Sequence, residues 1–434
     1  MKSLTNLLLW ALLVAVSAPA IGEIRWDASG FATIAAGKTN RDELRYMDYD
    51  GDWSFDSDTI LGLQLVVEPL DRLSLTAQVV TRGHSFDDTG EYSTEFEWLF
   101  ASYNLWQNGR VRAGRLRTPY QYYSESLEVG YSYVWVRPPP NVYAFLFEPF
   151  SHFDGVDVSY TYYGEEVDTE LTWLYGSQEG TFVRARADID QLWGFTATSR
   201  WQELTLRYAF LHHTISLRVP QYDPLLDAFD QTAAGLAMLG IPDPGFTELK
   251  AIYRLDDGKM RYHSLALDWR LDKWQIIAER YELEPPGKGL DNTSRGWYLS
   301  LSRHFGDVTP YVVVGGYKSA MSKEMYDQID LVFDGVEPYY PLLPGPVAQQ
   351  LAEDLAELRF LSEFAVDRYR VGQRSYTAGV RWDFHSSSAL KTEIEYIEFT
   401  RGSTGHFIGK EIPLDRTADP NDAVSVTIAL EVVF

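Results

Sequence analysis

The chain has 434 residues, with 38 lysines and arginines against 62 aspartates and glutamates, for a formal net charge of −24. So acidic a chain argues against a nucleic-acid partner, because phosphate binding needs a basic surface, and the lack of cysteine excludes disulfides and thiolate metal sites. Aromatic residues make up 15% of the chain. Together with a mean hydropathy of −0.24, this suits strands with one lipid-facing and one hydrated side.

The amino-terminal segment has the pattern of a signal peptide. Lys2 precedes an apolar run at 7–16, and small residues at 18–22 offer cleavage signatures. We therefore expect 1–22 to be a cleaved signal peptide and 23–434 to form the mature domain. After that run the sequence offers no stretch of about 20 apolar residues of the kind a transmembrane helix needs.

From Arg25 onward the chain repeats one unit: about ten alternating residues, a short turn, about ten more, then a long polar connection. The predicted short turns lie at 69–72, 107–109, 164–166, 201–203, 271–273, 306–307 and 385–388. The predicted long connections lie at 38–57, 84–93, 118–153, 177–190, 215–258, 284–295, 318–372 and 401–422. Short turns on one rim and long loops on the other are typical of outer-membrane barrels.

Seven hairpins plus an unpaired first and last strand predict an all-β fold, a closed, transmembrane, antiparallel up-and-down β-barrel of about sixteen strands. Closure matters because lipid offers no partner for an unpaired backbone edge. A turn at 256–258 could form a small extra hairpin, which leaves eighteen strands as the alternative. A soluble β-sandwich would also alternate, but its long loops need not all lie at one end.

Alternation is clearest in the last strand. Val424, Ile428, Leu430 and Phe434 fall on one face, and Thr427 falls on the other. We expect the first face to contact lipid. Two long loops also carry helical patterns, one at 223–239 and one with leucines at 351, 355 and 358.

The connection at 118–153 is long and rich in aromatic residues and proline, as functional loops often are. We expect it to fold back into the barrel and narrow a water-filled channel. The alternative is that it caps the barrel from outside.

Several motifs resemble the porin-like proteins of Gram-negative bacteria related to trimeric sixteen-stranded porins. These are Arg115-Leu116-Arg117-Thr118-Pro119, Val129-Gly130-Tyr131, Val136-Arg137-Pro138-Pro139 and the terminal Phe434. The resemblance covers mainly 60–163 and the last strand. The chain lacks the Pro-Glu-Phe-Gly-Gly loop motif of the enterobacterial general porins, so their selectivity is not carried over.

The resemblance implies a homotrimer in the outer membrane whose third loop constricts the pore, with outer-membrane lipid and lipopolysaccharide around it and no cofactor. It also implies that Phe434 is the signal recognised by the outer-membrane assembly machinery.

Charged and aromatic residues on and beside the 118–153 loop are the predicted pore constriction. They are Arg112, Arg115, Arg117, Arg137, Glu125, Glu128, Tyr120, Tyr131 and Trp135. Strand alternation predicts charges on the lumen wall at Arg82, Glu95, Glu97, Arg207, Arg270, Arg381, Glu393 and Glu395. Arg115 and Arg117 can share the inward face with Arg112 only if a β-bulge shifts the register.

Two other motifs suggest candidate sites. Asp48, Asp50 and Asp52 resemble the start of a calcium loop, but the ligand set is incomplete and favours a solvated acidic loop. Ser302 and His304 share a strand face, as a barrel lipase would require, but no G-x-S-x-G motif accompanies them.

The sequence therefore predicts a passive, non-enzymatic porin for small hydrophilic solutes. Arginine binds carboxylates well, so we expect a mild preference for anions such as organic acids. The alternatives are a receptor or adhesin acting through its long loops, and an outer-membrane lipase.

Overall fold

The computed structural model describes residues 24–434 apart from 48, 84–91, 144–149, 183–184, 255, 285–291, 322, 368–370, 401–402, 404 and 410–421. Residues 1–22, the predicted signal peptide, lie outside this described part. Sixteen antiparallel strands close into one barrel. The strands are β1 (Arg25–Thr39), β2 (Ile60–Leu70), β3 (Leu73–Arg82), β4 (Ser93–Trp106), β5 (Gly109–Arg117), β6 (His152–Tyr163), β7 (Val167–Phe182), β8 (Ala185–Trp201), β9 (Leu204–Arg218), β10 (Gly258–Leu271), β11 (Trp274–Glu284), β12 (Asn292–Arg303), β13 (Val308–Met321), β14 (Gly372–His385), β15 (Ser388–Phe399) and β16 (Ala423–Val433).

Each strand pairs with its neighbours in the chain, and β1 pairs with β16 to close the ring. That closing ladder runs from Phe31 opposite Val433 to Thr39 opposite Ser425. The predicted barrel and its sixteen strands are confirmed. The turn at 256–258 adds no extra pair of strands, because Gly258 is the first residue of β10.

All seven predicted short turns join consecutive strands at one rim. Three of them contain a residue in the left-handed region, which tight hairpins favour: Gln202 (φ 52°), Asp272 (φ 51°) and Gly306 (φ 65°). The long connection predicted at 177–190 was wrong. Strands β7 and β8 extend through most of it, because the polar residues that suggested a loop continue the ladder beyond the apolar band.

Helices occur only in the long connections of the described chain. They are α1 (Pro140–Tyr143), α2 (Asp223–Met238), α3 (Phe246–Tyr253), α4 (Lys323–Asp334) and α5 (Gly345–Asp367). Short 3-10 turns lie at Ser124–Ser126, Gly130–Ser132, Pro220–Tyr222 and Glu337–Leu342. Among the described helices, none is both long and apolar enough to cross a membrane.

The two predicted loop helices are confirmed as α2 and α5, and they pack together. Residues 220–253 and 323–367 share a hydrophobic core that includes Phe229, Phe246 and Val332. Tyr253 Oη donates to the carbonyl of Ser362 at 2.6 Å, which ties α3 to α5. We call this unit the helical cap.

The alternation predicted for the last strand is confirmed. Ile428 and Leu430 are 39% and 37% exposed, whereas Thr427 and Glu431 on the other face are buried. Phe434 is also exposed. Its backbone N–H donates to the carbonyl of Gly30, and its carbonyl accepts from the N–H of Gly30. The Phe434 ring lies against Gly30 so closely that a side chain there would collide with it.

Arginine at Ile428, the midpoint of β16, should reduce the yield of folded barrel. A cation on the lipid face near the bilayer midplane costs roughly 2–4 kcal/mol, and the cost falls to about 0–1 kcal/mol near the interfaces. Val424→Arg, near the outer end of the same face, is the matched control. Folding into lipid vesicles, followed by gel mobility, measures both. Equal yields for the two variants would show that this face does not contact lipid.

Candidate functional site

The connection between β5 and β6, residues 118–151 and here called loop 3, contacts strands around most of the barrel. Tyr120 packs edge-on against Tyr262 of β10, with ring centroids 5.0 Å apart. Trp135 Nε1 donates to Ser300 of β12 at 3.0 Å, and Arg137 Nη2 donates to Thr427 of β16 at 2.7 Å. A segment that reaches strands on opposite sides of a closed barrel lies within its circumference.

Loop 3 also extends along the barrel axis to the opposite rim. Tyr131 Oη donates to the carbonyl of Ser386 at 3.0 Å, and Ser386 lies in the short turn between β14 and β15. Loop 3 begins at the rim of the long loops, so it traverses the lumen. The inward-folded third loop is confirmed, and the external cap is excluded.

Five charged residues of the barrel wall hold loop 3 by its main chain. Arg207 donates to the carbonyls of Pro119 and Tyr120, Arg381 to those of Tyr131 and Tyr133, and Lys391 to those of Gly130 and Trp135. Glu279 and Glu393 accept from the backbone N–H groups of Tyr122 and Val136. Arg207, Arg381 and Glu393 were predicted as wall charges, and the structure shows that they anchor the loop.

Lys391 and Glu279 were missed by the sequence reasoning. Lys391 is fully buried, and its ammonium also pairs with Glu431 at 2.7 Å. Glu279 accepts from Tyr143 Oη at 2.6 Å as well as from Tyr122. Both lie on the inward face of their strands, so the alternation that found the other wall charges would have found these two.

Tyr122 joins the loop to a further wall carboxylate. Burial and the neighbouring Asp268 raise the pKa of Tyr122 to about 12, so its phenol remains protonated at neutral pH. The hydroxyl donates to Asp268 at 3.3 Å. Asp268 also pairs with Arg270, a predicted wall residue whose side chain is 70% exposed.

The four predicted basic residues lie in four separate ion pairs or clusters rather than in one patch. Arg112 Nη2 lies 2.6 Å from Asp157 and 3.2 Å from Glu125. Arg137 Nη2 lies 3.2 Å from Asp58, and its guanidinium stacks over Tyr49 at 5.0 Å. Each arginine is therefore matched by carboxylates.

Arg117 belongs to the third, most buried cluster. Its Nη1 lies 2.9 Å from Glu97 and 2.6 Å from Glu128, and Arg82 contacts the same two carboxylates. Glu97 is fully buried and also accepts from Ser151 Oγ at 3.2 Å. Two arginines thus face two glutamates across the junction of loop 3 and the wall.

A β-bulge creates this cluster, but not on the strand where it was expected. Gln78 pairs with Trp98 and Val79 with Phe96, which leaves Glu97 as an extra residue in β4. The bulge turns Glu97 into the lumen, where Arg117 reaches it from the end of β5. Glu95, a predicted wall charge, lies two residues before it and is exposed.

Arg115 lies on the opposite face of β5 and is not near the other arginines. Its Nε lies 3.1 Å from Asp154, and both side chains are more than one-third exposed. Phe153, the neighbour of Asp154 in β6, is buried in the interior core. Because adjacent residues of a strand point to opposite faces, Asp154 and its partner Arg115 face outward. The outward position excludes Arg115 from the constriction.

Most of the predicted aromatic surface is buried. Tyr120 and Trp135 are 3% and 1% exposed, and they belong to a core that fills the space between loop 3 and the walls of β7 to β13. Tyr131 is partly exposed and lies beneath the guanidinium of Arg381 at 4.5 Å. Tyr131 is therefore accessible within the lumen, whereas Tyr120 and Trp135 fix the shape of the loop.

A small cavity remains between loop 3 and the first long loop. Its volume is about 110 Å³. The charged residues that line it are Asp58, Arg82, Arg117, Glu128 and Arg137. Glu395, the last predicted wall residue, lies nearby as the acceptor of Tyr46 Oη. The charged part of the cavity's lining comes from the first long loop, β3, the end of β5 and loop 3.

The described residues do not assemble either of the two other candidate sites. Asp48 lies outside the described residues, Asp50 Oδ1 accepts from the backbone of Asp52, and the described residues contain no group of three or more side chains placed to hold a metal ion. Ser302 is buried, and His304 Nδ1 bonds to Thr309 at 2.9 Å. His304 is thus engaged by Thr309 rather than by Ser302.

A closed antiparallel barrel with short turns at one rim and a third loop folded into the lumen defines the fold of the outer-membrane porins. The chain has this fold. No protein-family model and no curated protein matches it in sequence.

Solved structures with the same fold have low sequence identity to the chain. The anion-selective porin from Comamonas acidovorans has a TM-score of 0.52 at 10% identity, covering 95% of this chain and 100% of its own. OmpF from Salmonella typhi, solved with daunomycin, has a TM-score of 0.52 at 11% identity, covering 94% of this chain and 97% of its own. The in-vitro folded, trimer form of OmpT, an outer-membrane protein of Vibrio cholerae, has a TM-score of 0.50 at 10% identity, covering 95% of this chain and 100% of its own. At these identities the comparison establishes the fold alone.

Proposed function

We propose that the protein is an outer-membrane channel through which small hydrophilic solutes diffuse passively. The observation that carries this proposal is loop 3, which crosses the lumen of a closed barrel and narrows it beside paired charges. A barrel that served only as an anchor would need no such loop held by its wall. The structural neighbour that is described as an anion-selective porin supports the same reading.

Selectivity is decided where low-dielectric walls focus the field. The expected mild preference for anions, such as organic acids, rests on Arg112, Arg115, Arg117 and Arg137. Of these, Arg115 faces outward and pairs with Asp154. Each of the four is neutralised in part by carboxylates, including Glu125 and Glu128 of loop 3. The proposal is therefore a weak anion preference at most, superimposed on passage of neutral polar solutes.

Recordings in a planar lipid bilayer test the channel. The purified protein should give stepwise conductance increments, and the reversal potential in a salt gradient should lie slightly toward the anion side. A barrel that inserts but gives no steps would contradict the channel. A reversal potential on the cation side would remove the anion preference and leave the channel intact.

We also propose a homotrimer, because a solved neighbour of the same fold is described as a trimer form. In this proposal Phe434, exposed at the end of β16, is read by the assembly machinery, and the barrel exterior contacts outer-membrane lipid and lipopolysaccharide. Native mass spectrometry in mild detergent measures the number of subunits, and a monomer would contradict the trimer.

One observation favours a second candidate, a receptor that binds a partner outside the cell. The helical cap has a core of its own, and it exposes Met238, Leu342 and Phe360 at 85%, 78% and 63%. A receptor without a channel would insert into the planar bilayer and give no conductance steps.

A further inference from the structure

A groove runs along the outer surface of the barrel near the long-loop ends of β6 to β10. Its volume is about 470 Å³. The polar and aromatic residues that line it are Asp154, Tyr175, Ser177, Asp190, Gln191, Thr214 and Asp257. The groove is separate from the lumen and from every residue assigned to the channel.

The side chains that line the groove point away from the barrel interior. Tyr175 is 58% exposed, whereas its neighbour Leu174 is 5% exposed and packs in the interior core. Val156, opposite Tyr175, is also exposed, and Asp157 beside it is buried against Arg112. The groove therefore opens on the side of the barrel that faces lipid.

A β-bulge shapes the floor of the groove. Strand β8 has one extra residue relative to both neighbours: β7 shifts register between Gly176 and Gln178, and β9 shifts between His212 and Thr214. Gln191, at the bulge, has a φ of 51°, a conformation that residues other than glycine rarely adopt. Bulges bend a strand and re-aim its side chains. Here the bulge places adjacent polar side chains on the outward face, where strict alternation would turn one of them inward.

The lining suits a sugar better than an ion or an acyl chain. The ring of Tyr175 offers an apolar face, while the carboxylates, amide and hydroxyls around it can donate to and accept from several hydroxyl groups. No three acidic or histidine side chains of the described chain are close enough to share a metal ion. The carboxylates are thus spread along the groove, as contacts to an extended polyhydroxyl ligand require.

The position of the groove identifies the source of the sugar. Below it on the same outward face lie apolar and aromatic side chains, including Val158, Trp173 and Trp193 at 37%, 51% and 46% exposure. Tryptophan and tyrosine concentrate where lipid tails meet headgroups. Given the membrane placement in the proposed function, the groove lies at the headgroup level of the outer leaflet.

We propose that this groove binds the saccharide headgroup of a glycolipid in the outer leaflet, with the Tyr175 ring against one sugar face and Asp190 and Gln191 bonding to its hydroxyls. The acyl chains then lie along the apolar side chains below.

Native mass spectrometry of the detergent-solubilised protein with purified lipopolysaccharide of short saccharide chain tests the proposal. Tyr175→Ala should weaken retention of the glycolipid about tenfold, because it removes the aromatic face of the site. Asp190→Asn combined with Gln191→Ala should weaken it similarly. Tyr376→Ala is the matched control, since Tyr376 is also outward on β14 and 47% exposed, and it should leave retention unchanged.

Two further arms identify the ligand. Phosphatidylglycerol, which has acyl chains and no saccharide, should bind equally to wild type and to Tyr175→Ala. The free oligosaccharide should compete with the glycolipid in wild type. Equal glycolipid retention by wild type and Tyr175→Ala, or no competition by the oligosaccharide, would overturn the proposal. The bilayer conductance of Tyr175→Ala should match that of wild type. If neither protein gives conductance steps, the result counts against the proposed function and not against the groove.

Discussion

Replacing Lys391 with methionine should loosen loop 3 and raise the conductance of the channel. The Lys391 ammonium is fully buried, where it donates to two loop carbonyls and pairs with Glu431. Its removal leaves the Glu431 carboxylate buried without its cation. Removing one partner of a buried ion pair costs roughly 3–5 kcal/mol, and part of that cost falls on the contact between loop and wall.

Single-channel recordings and limited proteolysis of loop 3 measure this effect. We expect larger or more variable conductance steps and faster cleavage within 118–151. The double variant Lys391→Met with Glu431→Leu is the matched control. It removes the unpaired charge, and replacing both partners of a buried pair by apolar residues is often neutral for stability. Wild-type conductance and wild-type cleavage in Lys391→Met would show that Lys391 does not hold the loop.

Replacing Glu97 with glutamine should shift the reversal potential toward anions. In the cluster where loop 3 meets the wall, Arg82 and Arg117 face Glu97 and Glu128. Glutamine keeps the shape of Glu97 and removes its charge, so the cluster changes from two positive and two negative groups to an excess of one positive. The same change should destabilise the barrel by roughly 3–5 kcal/mol, because Glu97 is fully buried between its arginines.

Asp154→Asn is the matched control for Glu97→Gln. It removes the carboxylate that pairs with Arg115, so the net charge of the chain changes equally, but this pair lies on the outer face. We expect no change of selectivity in Asp154→Asn. If both variants shift the reversal potential equally, overall charge rather than the cluster decides selectivity. If neither does, ions pass elsewhere.

The barrel could be predicted because its physical cause is local. Lipid on one side and water on the other force a period of two along each strand, and β16 shows this in every residue from Val424 to Glu431. The short turns and the helices of the cap are local patterns too. The one wrong loop, at 177–190, arose because strand ladders continue past the apolar band, where polar residues look the same in a strand and in a loop.

The candidate site could be predicted only in part, because its geometry depends on distant partners. Alternation placed Arg112 inward and predicted that Arg115 and Arg117 would not follow without a bulge in their strand, which holds for Arg115 but not for Arg117. It could not show that Glu97 occupies a bulge, since a bulge is a difference in length between two strands. Nor could it show that Trp135 is buried against Ser300, which lies 165 residues further along the chain.

Loop 3 is held through its peptide groups as well as through its side chains. Arg207, Arg381 and Lys391 together bind six of its carbonyls, and a carbonyl is the same whatever side chain its residue carries. Mutations that change the exposed side chains of the loop can therefore alter the aperture without moving its backbone. In the proposed channel, selectivity and the position of the loop would therefore respond to different mutations, the first to side chains of the loop and the second to residues of the wall.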